Sequence, residues 1–160
     1  MSRVLTISSK LFSFKGQIHI HGEFGERLYE ANGESFFNRS WSIKNSVEEI
    51  ASINSKTWSW SPTWVVKSVL GDFTIRRKYF SWKRRYRVIG GRYNNALILG
   101  NFWDQAFTIT HAESLIASAK GKVLTMRDTH AIVVNDSSQS SELFTVIVMV
   151  TLLQDRKKRR

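Results

Sequence analysis

Apolar and polar positions alternate with period two along most of the chain, the signature of half-buried antiparallel strands. Between Lys10 and Ile20, the residues Phe12, Phe14, Ile18 and Ile20 share one face across a turn at Lys15-Gly16. Trp58, Trp60, Trp64 and Val66 repeat the arrangement around Ser61-Pro62, and Phe80, Trp82, Tyr86 and Val88 repeat it again. All of these side chains are predicted to face a core. Further reversals are expected at Gly22 to Gly25, Asn32-Gly33, Gly71-Asp72, Gly90-Gly91, Asn94-Asn95, Lys120-Gly121 and Asn135-Asp136.

One segment breaks the alternation. From Leu143 to Leu153 only Thr145 and Thr151 are polar, so the element must be enclosed on every side. It falls well short of the ~20 apolar residues that a bilayer span requires. Ser140 and Ser141 offer N-caps, and a cationic tail follows where a helix C-terminus favours positive charge. The valines and isoleucines would also suit a buried strand. A helix is the preferred reading, because a closed barrel of hairpins needs something apolar to fill it.

The strand pattern is itself repeated. Lysine, any residue, aromatic, serine, aromatic recurs at Lys10-Leu11-Phe12-Ser13-Phe14, Lys56-Thr57-Trp58-Ser59-Trp60 and Lys78-Tyr79-Phe80-Ser81-Trp82, with a weaker copy at Lys122-Val123-Leu124-Thr125-Met126. The copies are 46, 22 and 44 residues apart, close to multiples of the ~22 residues that two strands and a turn occupy. A second repeat interleaves with the first. Gly33-Glu34-Ser35-Phe36-Phe37 with Trp41-Ser42-Ile43 matches Gly100-Asn101-Phe102-Trp103 with Phe107-Thr108-Ile109, and the trailing Ile50-Ala51-Ser52 matches Ile116-Ala117-Ser118. The lysines that open the first repeat carry the parity of the inward aromatics, so they are expected to line the barrel mouth and snorkel to water.

Length and a 42% hydrophobic content suit one domain, expected over residues 1–155 with a basic tail at 156–160. The lack of cysteine excludes a disulfide scaffold and thiolate metal sites and favours a reducing, cytoplasmic setting. The N-terminus carries no secretory h-region.

Charge sharpens the picture once it is located. The formal net charge of +11 is concentrated in Arg76, Arg77, Lys78, Lys83, Arg84, Arg85, Arg87 and Arg92, and in the tail Arg156, Lys157, Lys158, Arg159 and Arg160. No acidic residue lies between Asp72 and Asp104, and the rest of the chain is close to neutral. Concentrated charge of this kind suggests an anionic partner. Within the third hairpin Phe80, Trp82, Tyr86 and Val88 are expected inside, with Arg77, Lys83, Arg85 and Arg87 outside. The equivalent aromatics recur in the less basic Lys56 unit, so core packing accounts for them better than base stacking does.

Catalytic and cofactor chemistry finds no foothold. No Gly-x-Ser-x-Gly elbow, P-loop or dinucleotide fingerprint is present, and Asp72, Asp104 and Asp128 sit where aspartate commonly caps a turn. His19, His21 and Glu23 share a strand face and could in principle ligate a metal, but a solvated outer face is the better reading. The protein is therefore read as a non-enzyme without metal or cofactor.

The lysine–aromatic hairpins at Lys56 and Lys78, the Gly100-Asn101-Phe102-Trp103-Asp104 run with Phe107-Thr108-Ile109, and the terminal Leu143 to Leu153 segment resemble the LURP-one-related family. That family lies within the tubby C-terminal-like superfamily, which also includes the phospholipid scramblases. Length and the absence of an N-terminal extension look more like its bacterial members. The resemblance implies an all-β fold, a closed antiparallel barrel of about twelve strands, or six hairpins, around a buried hydrophobic C-terminal helix. It also favours an anionic phospholipid or phosphoinositide surface as the partner of the basic hairpin and tail, with the protein cytoplasmic and peripheral at the membrane. Non-specific nucleic-acid binding and a protein-interaction scaffold remain the alternatives, since both polyanions would attract the same charge.

Overall fold

The computed structural model describes residues 2–10, 16–33, 39–56, 58–79, 83–101, 106–122, 129–136 and 138–157. Its strands are β1 (Arg3–Lys10), β2 (Gln17–His21), β3 (Arg27–Gly33), β4 (Ser40–Lys44), β5 (Glu49–Ser55) and β6 (Thr63–Ser68), followed by β7 (Phe73–Arg77), β8 (Arg85–Ile89), β9 (Leu97–Asn101), β10 (Ala106–His111), β11 (Ser114–Lys122) and β12 (Thr129–Val134). Each pairs antiparallel with its neighbours in sequence, and β1 closes on β12, so the sheet is a closed barrel. The expected twelve-stranded barrel is the one observed.

Period-two alternation places Leu5, Ile7, Ile18, Ile20, Ile43, Ile53, Val66, Ile75, Val88, Ile98 and Ile109 inside, all essentially inaccessible. The interior is filled by α1 (Gln139–Lys157), longer at both ends than its apolar stretch. Val146 to Val150 are buried without a break, as an element apolar all round requires. Phe144 packs on Tyr93 with ring centroids 4.2 Å apart and on Phe73 at 5.7 Å. The N-cap is Ser138 rather than Ser140 or Ser141. Its carbonyl accepts from Glu142 N at 3.1 Å, its hydroxyl accepts from Ser141 N at 3.2 Å, and Asp136 braces the hydroxyls of both serines.

One expected reversal changes character. Lys120-Gly121 lies within β11, at a shift of register between Ala119 and Lys122, so it marks a bulge. A tight turn occurs instead at Ala112-Glu113, with φ of 48° and 65°. Gly100 is a genuine backbone requirement, because its φ is 105° and a Cβ there would lie 2.2 Å from the Ala106 carbonyl oxygen.

A closed meander sends alternate connections to opposite ends of the barrel. The connections β1–β2, β5–β6, β7–β8 and β11–β12 carry the lysine–aromatic repeat, and β3–β4 and β9–β10 carry the glycine–aromatic repeat. All six leave the same end, where α1 terminates. Among the described residues of the repeats, Lys56, Trp58, Ser59, Trp60, Lys78 and Tyr79 lie in these connections, whereas Lys10, Gly33, Trp41 to Ile43, Gly100 and Phe107 to Ile109 lie in strands. Phe12, Phe14, Phe80 and Trp82, expected inside, lie outside the described residues.

Candidate functional site

The outer face of β7, β8 and β9 combines cations with aliphatic surface. Register places Arg76 opposite Arg87, Arg87 opposite Leu97, Arg85 opposite Leu99, and Thr74 opposite Ile89. Arg76, Arg85 and Arg87 are exposed, as are Ile89, Leu97 and Leu99 at 41%, 41% and 37%. With Tyr79 and Lys78 from the next connection, most of them line an open cleft of about 610 Å³. Arginines directly opposite one another on adjacent strands repel. An anion between them would convert that cost into charge-assisted hydrogen bonds.

Two of the arginines expected in this group point elsewhere. Arg77 shares the inward parity of Phe73 and Ile75, and its guanidinium reaches Asp155 near the end of α1, Nη1 lying 2.8 Å from Oδ1 and 2.6 Å from Oδ2. Arg84 donates to the same carboxylate at 3.3 Å, and the Tyr86 hydroxyl donates to it at 2.6 Å. The expectation that Arg77 faces solvent fails because strand parity continues from Ile75 and does not reset at the repeated motif. Burial, the Asp155 charge and this hydrogen bond together push the Tyr86 phenol well above its usual range. Both arginines hold the helix in place rather than presenting charge outside.

A matching clamp closes the other end. Glu142, in the first turn of α1, accepts from Arg3 Nη1 at 2.7 Å and from the Tyr29 hydroxyl at 2.8 Å. Burial and the Glu142 hydrogen bond raise the Tyr29 phenol in the same direction. Arg92 belongs to this end, donating to Ser140 Oγ at 3.0 Å, and lies in the β8–β9 connection rather than on the strand face that carries Arg85 and Arg87. Arg156 and Lys157 form the last turn of α1, and Lys158, Arg159 and Arg160 lie outside the described residues.

Among the described residues the exposed carboxylates cluster at one end of the barrel, although Arg27, Lys44, Lys67 and Arg92 are exposed near it as well. Glu23, Glu26, Glu48, Glu49, Asp72, Glu113 and Asp136 are exposed around the end where α1 begins. Arg39, Lys56, Lys78 and Lys83 are exposed around the other. Among the described residues the one carboxylate at that basic end is the buried, paired Asp155.

Trp58 and Trp60 overturn an expectation. Read as core residues, they are 94% and 99% exposed, and the inward half of their hairpin is supplied by β5 and by Trp64 and Val66. Their connection is held by its own polar contacts: the Ser59 and Thr63 hydroxyls lie 3.0 Å apart and both approach the Ser61 carbonyl, Thr63 Oγ1 at 2.9 Å, so their two protons serve two of the three contacts. The signal that could have placed them was the Ser-x-Ser-Pro spacing, which is turn chemistry rather than strand chemistry.

His19 and His21 stack with ring centroids 6.3 Å apart on the outer face, opposite the buried Ile18 and Ile20. Among the described residues no group of three His, Asp or Glu side chains is placed to hold a metal. Nor is any described helix long and apolar enough to cross a membrane.

The sequence model of the LURP-one-related family matches residues 3–152. The chain belongs to that family. A solved X-ray structure of an Arabidopsis thaliana protein is similar in fold, with a TM-score of 0.67 at 12% identity, covering 98% of this chain and 91% of the plant one. No curated protein sequence matches. Family membership accounts for the barrel threaded by a helix; the charge and exposed apolar groups described above belong to this chain's own residues.

Proposed function

We propose that the protein is a non-enzymatic binding module that recognises anionic phospholipid surfaces through the outer face of β7 to β9. The observation that carries this reading is the interleaving of exposed Arg76, Arg85 and Arg87 with exposed Ile89, Leu97 and Leu99. Guanidinium groups pair with phosphate in two-point hydrogen bonds, and the aliphatic side chains between them suit the boundary between headgroups and acyl chains. Lys83, and Arg156 and Lys157 at the end of α1, add charge at the same end of the barrel. On the strands aliphatic residues rather than rings stand between the arginines, and Tyr79 at the edge of the cleft is the exposed ring on which a base would have to stack.

Flotation of the intact protein with phosphatidylcholine vesicles, with and without phosphatidylserine or a phosphoinositide, tests the reading. A gel shift with single- and double-stranded nucleic acid is run beside it. Binding confined to anionic vesicles is expected. Retardation of nucleic acid without vesicle binding would transfer the site to a polynucleotide backbone.

A further inference from the structure

We propose that the barrel docks tilted onto its basic end, the outer face of β7 to β9 meeting the headgroups, and that Trp58 and Trp60, in the connection whose Ser61 borders the same cleft, insert into the headgroup layer of an anionic bilayer. The inference rests on the membrane reading above and adds which part of the molecule enters lipid. Exposure is selective: Trp41 and Trp64 are buried at 1% and 0%, while Trp58 and Trp60 stand in water. Tryptophan couples a large apolar ring to an N–H donor, which is why it collects at membrane interfaces.

Two further observations point the same way. The connection bearing both rings is pre-organised by the Ser59, Ser61 and Thr63 hydrogen bonds, and it is anchored at its ends by Lys56 N to the Thr63 carbonyl at 2.8 Å and Arg77 N to the Pro62 carbonyl at 2.9 Å. A rigid loop loses little entropy on insertion. The same end of the barrel exposes Lys56, Lys78 and Lys83, whereas among the described residues the exposed carboxylates gather at the other end. An anionic surface would therefore turn this end toward itself before contact.

The test uses the intact protein with vesicles of phosphatidylcholine and phosphatidylserine that carry bromine on their acyl chains, the protein's own tryptophan fluorescence being the probe. The wild type should be quenched on binding. A Trp58→Ala, Trp60→Ala variant should keep its melting temperature, lose most of the quenching, and bind roughly tenfold or more weakly. Its remaining binding should stay salt-sensitive. Wild-type binding without quenching, or a variant that binds within about twofold of wild type, would overturn insertion while leaving the membrane reading standing. A wild type that ignores these vesicles altogether removes both, and leaves the exposed rings to a protein partner.

Discussion

Arg77 and Asp155 are joined inside the basic end of the barrel, the guanidinium lying 2.8 Å from one carboxylate oxygen and 2.6 Å from the other. The side chains are 15% and 3% exposed, so water does little to screen the pair. Asp155→Ala leaves Arg77 and Arg84 facing each other without their shared anion. Removing one partner of a buried ion pair costs about 3–5 kcal/mol, which urea unfolding would measure. Arg87→Gln, on the outer face, should stay within ~0.5 kcal/mol. Equal effects would mean that the helix clamp contributes nothing.

Alkaline pH should loosen both ends of the helix. Tyr29 and Tyr86 have phenols raised above the unfolded value, chiefly by burial and then by Glu142 and Asp155 respectively. A group raised in this way releases its proton more readily from the unfolded chain. Its contribution to stability is therefore intact below about pH 10 and declines as pH rises further. Tyr86→Phe should flatten that decline. It should also cost about 1–3 kcal/mol at neutral pH, since Asp155 loses a buried donor. Melting temperature against pH for the two proteins decides the matter.

Helix α1 supplies the core rather than covering it. Val148 is wholly enclosed, so Val148→Asp should cost ~3–5 kcal/mol by burying an unpaired charge and should produce dye-binding, poorly soluble protein. A chain ending at Glu142 would expose the interior and should fare worse. Unchanged melting in either case would show that the barrel holds together without its helix.

The Ala112-Glu113 turn is expensive as it stands. Both residues occupy the left-handed region, which asparagine and glycine adopt far more readily. Ala112→Asn with Glu113→Gly should raise stability by about 1 kcal/mol, part of the relief being lost to glycine's freedom in the unfolded chain.

The barrel, the enclosed helix and the inward parity of Tyr86 and Val88 were legible, because burial on one face enforces alternation and an unbroken apolar run must be enclosed. What misled was the repeat. Lys-x-aromatic-Ser-aromatic alternates like a strand, yet at Trp58 and Trp60 it lies in a connection, where nothing forces the larger side chains inward. Arg77 faces inward for a related reason: it keeps the parity of Phe73 and Ile75 and not that of the motif that follows it. The turn at Ala112-Glu113 carried no glycine or asparagine to announce it. The exposed arginines Arg76, Arg85 and Arg87 were visible as charge, but their aliphatic neighbours Leu97 and Leu99 were not, since those come from β9 through register alone.

Vesicle affinity measured against salt, for the wild type and for Arg76→Gln, Arg85→Gln, Arg87→Gln combined, tests the central claim most directly. The wild type should bind phosphatidylserine vesicles tightly at low ionic strength and weaken as salt shortens screening to ~10 Å and below. The triple variant should keep its fold but lose about 1 kcal/mol of binding for each arginine, with a shallower salt dependence. A triple variant that binds anionic vesicles as the wild type does, at every salt concentration, would contradict the assignment of this face to lipid.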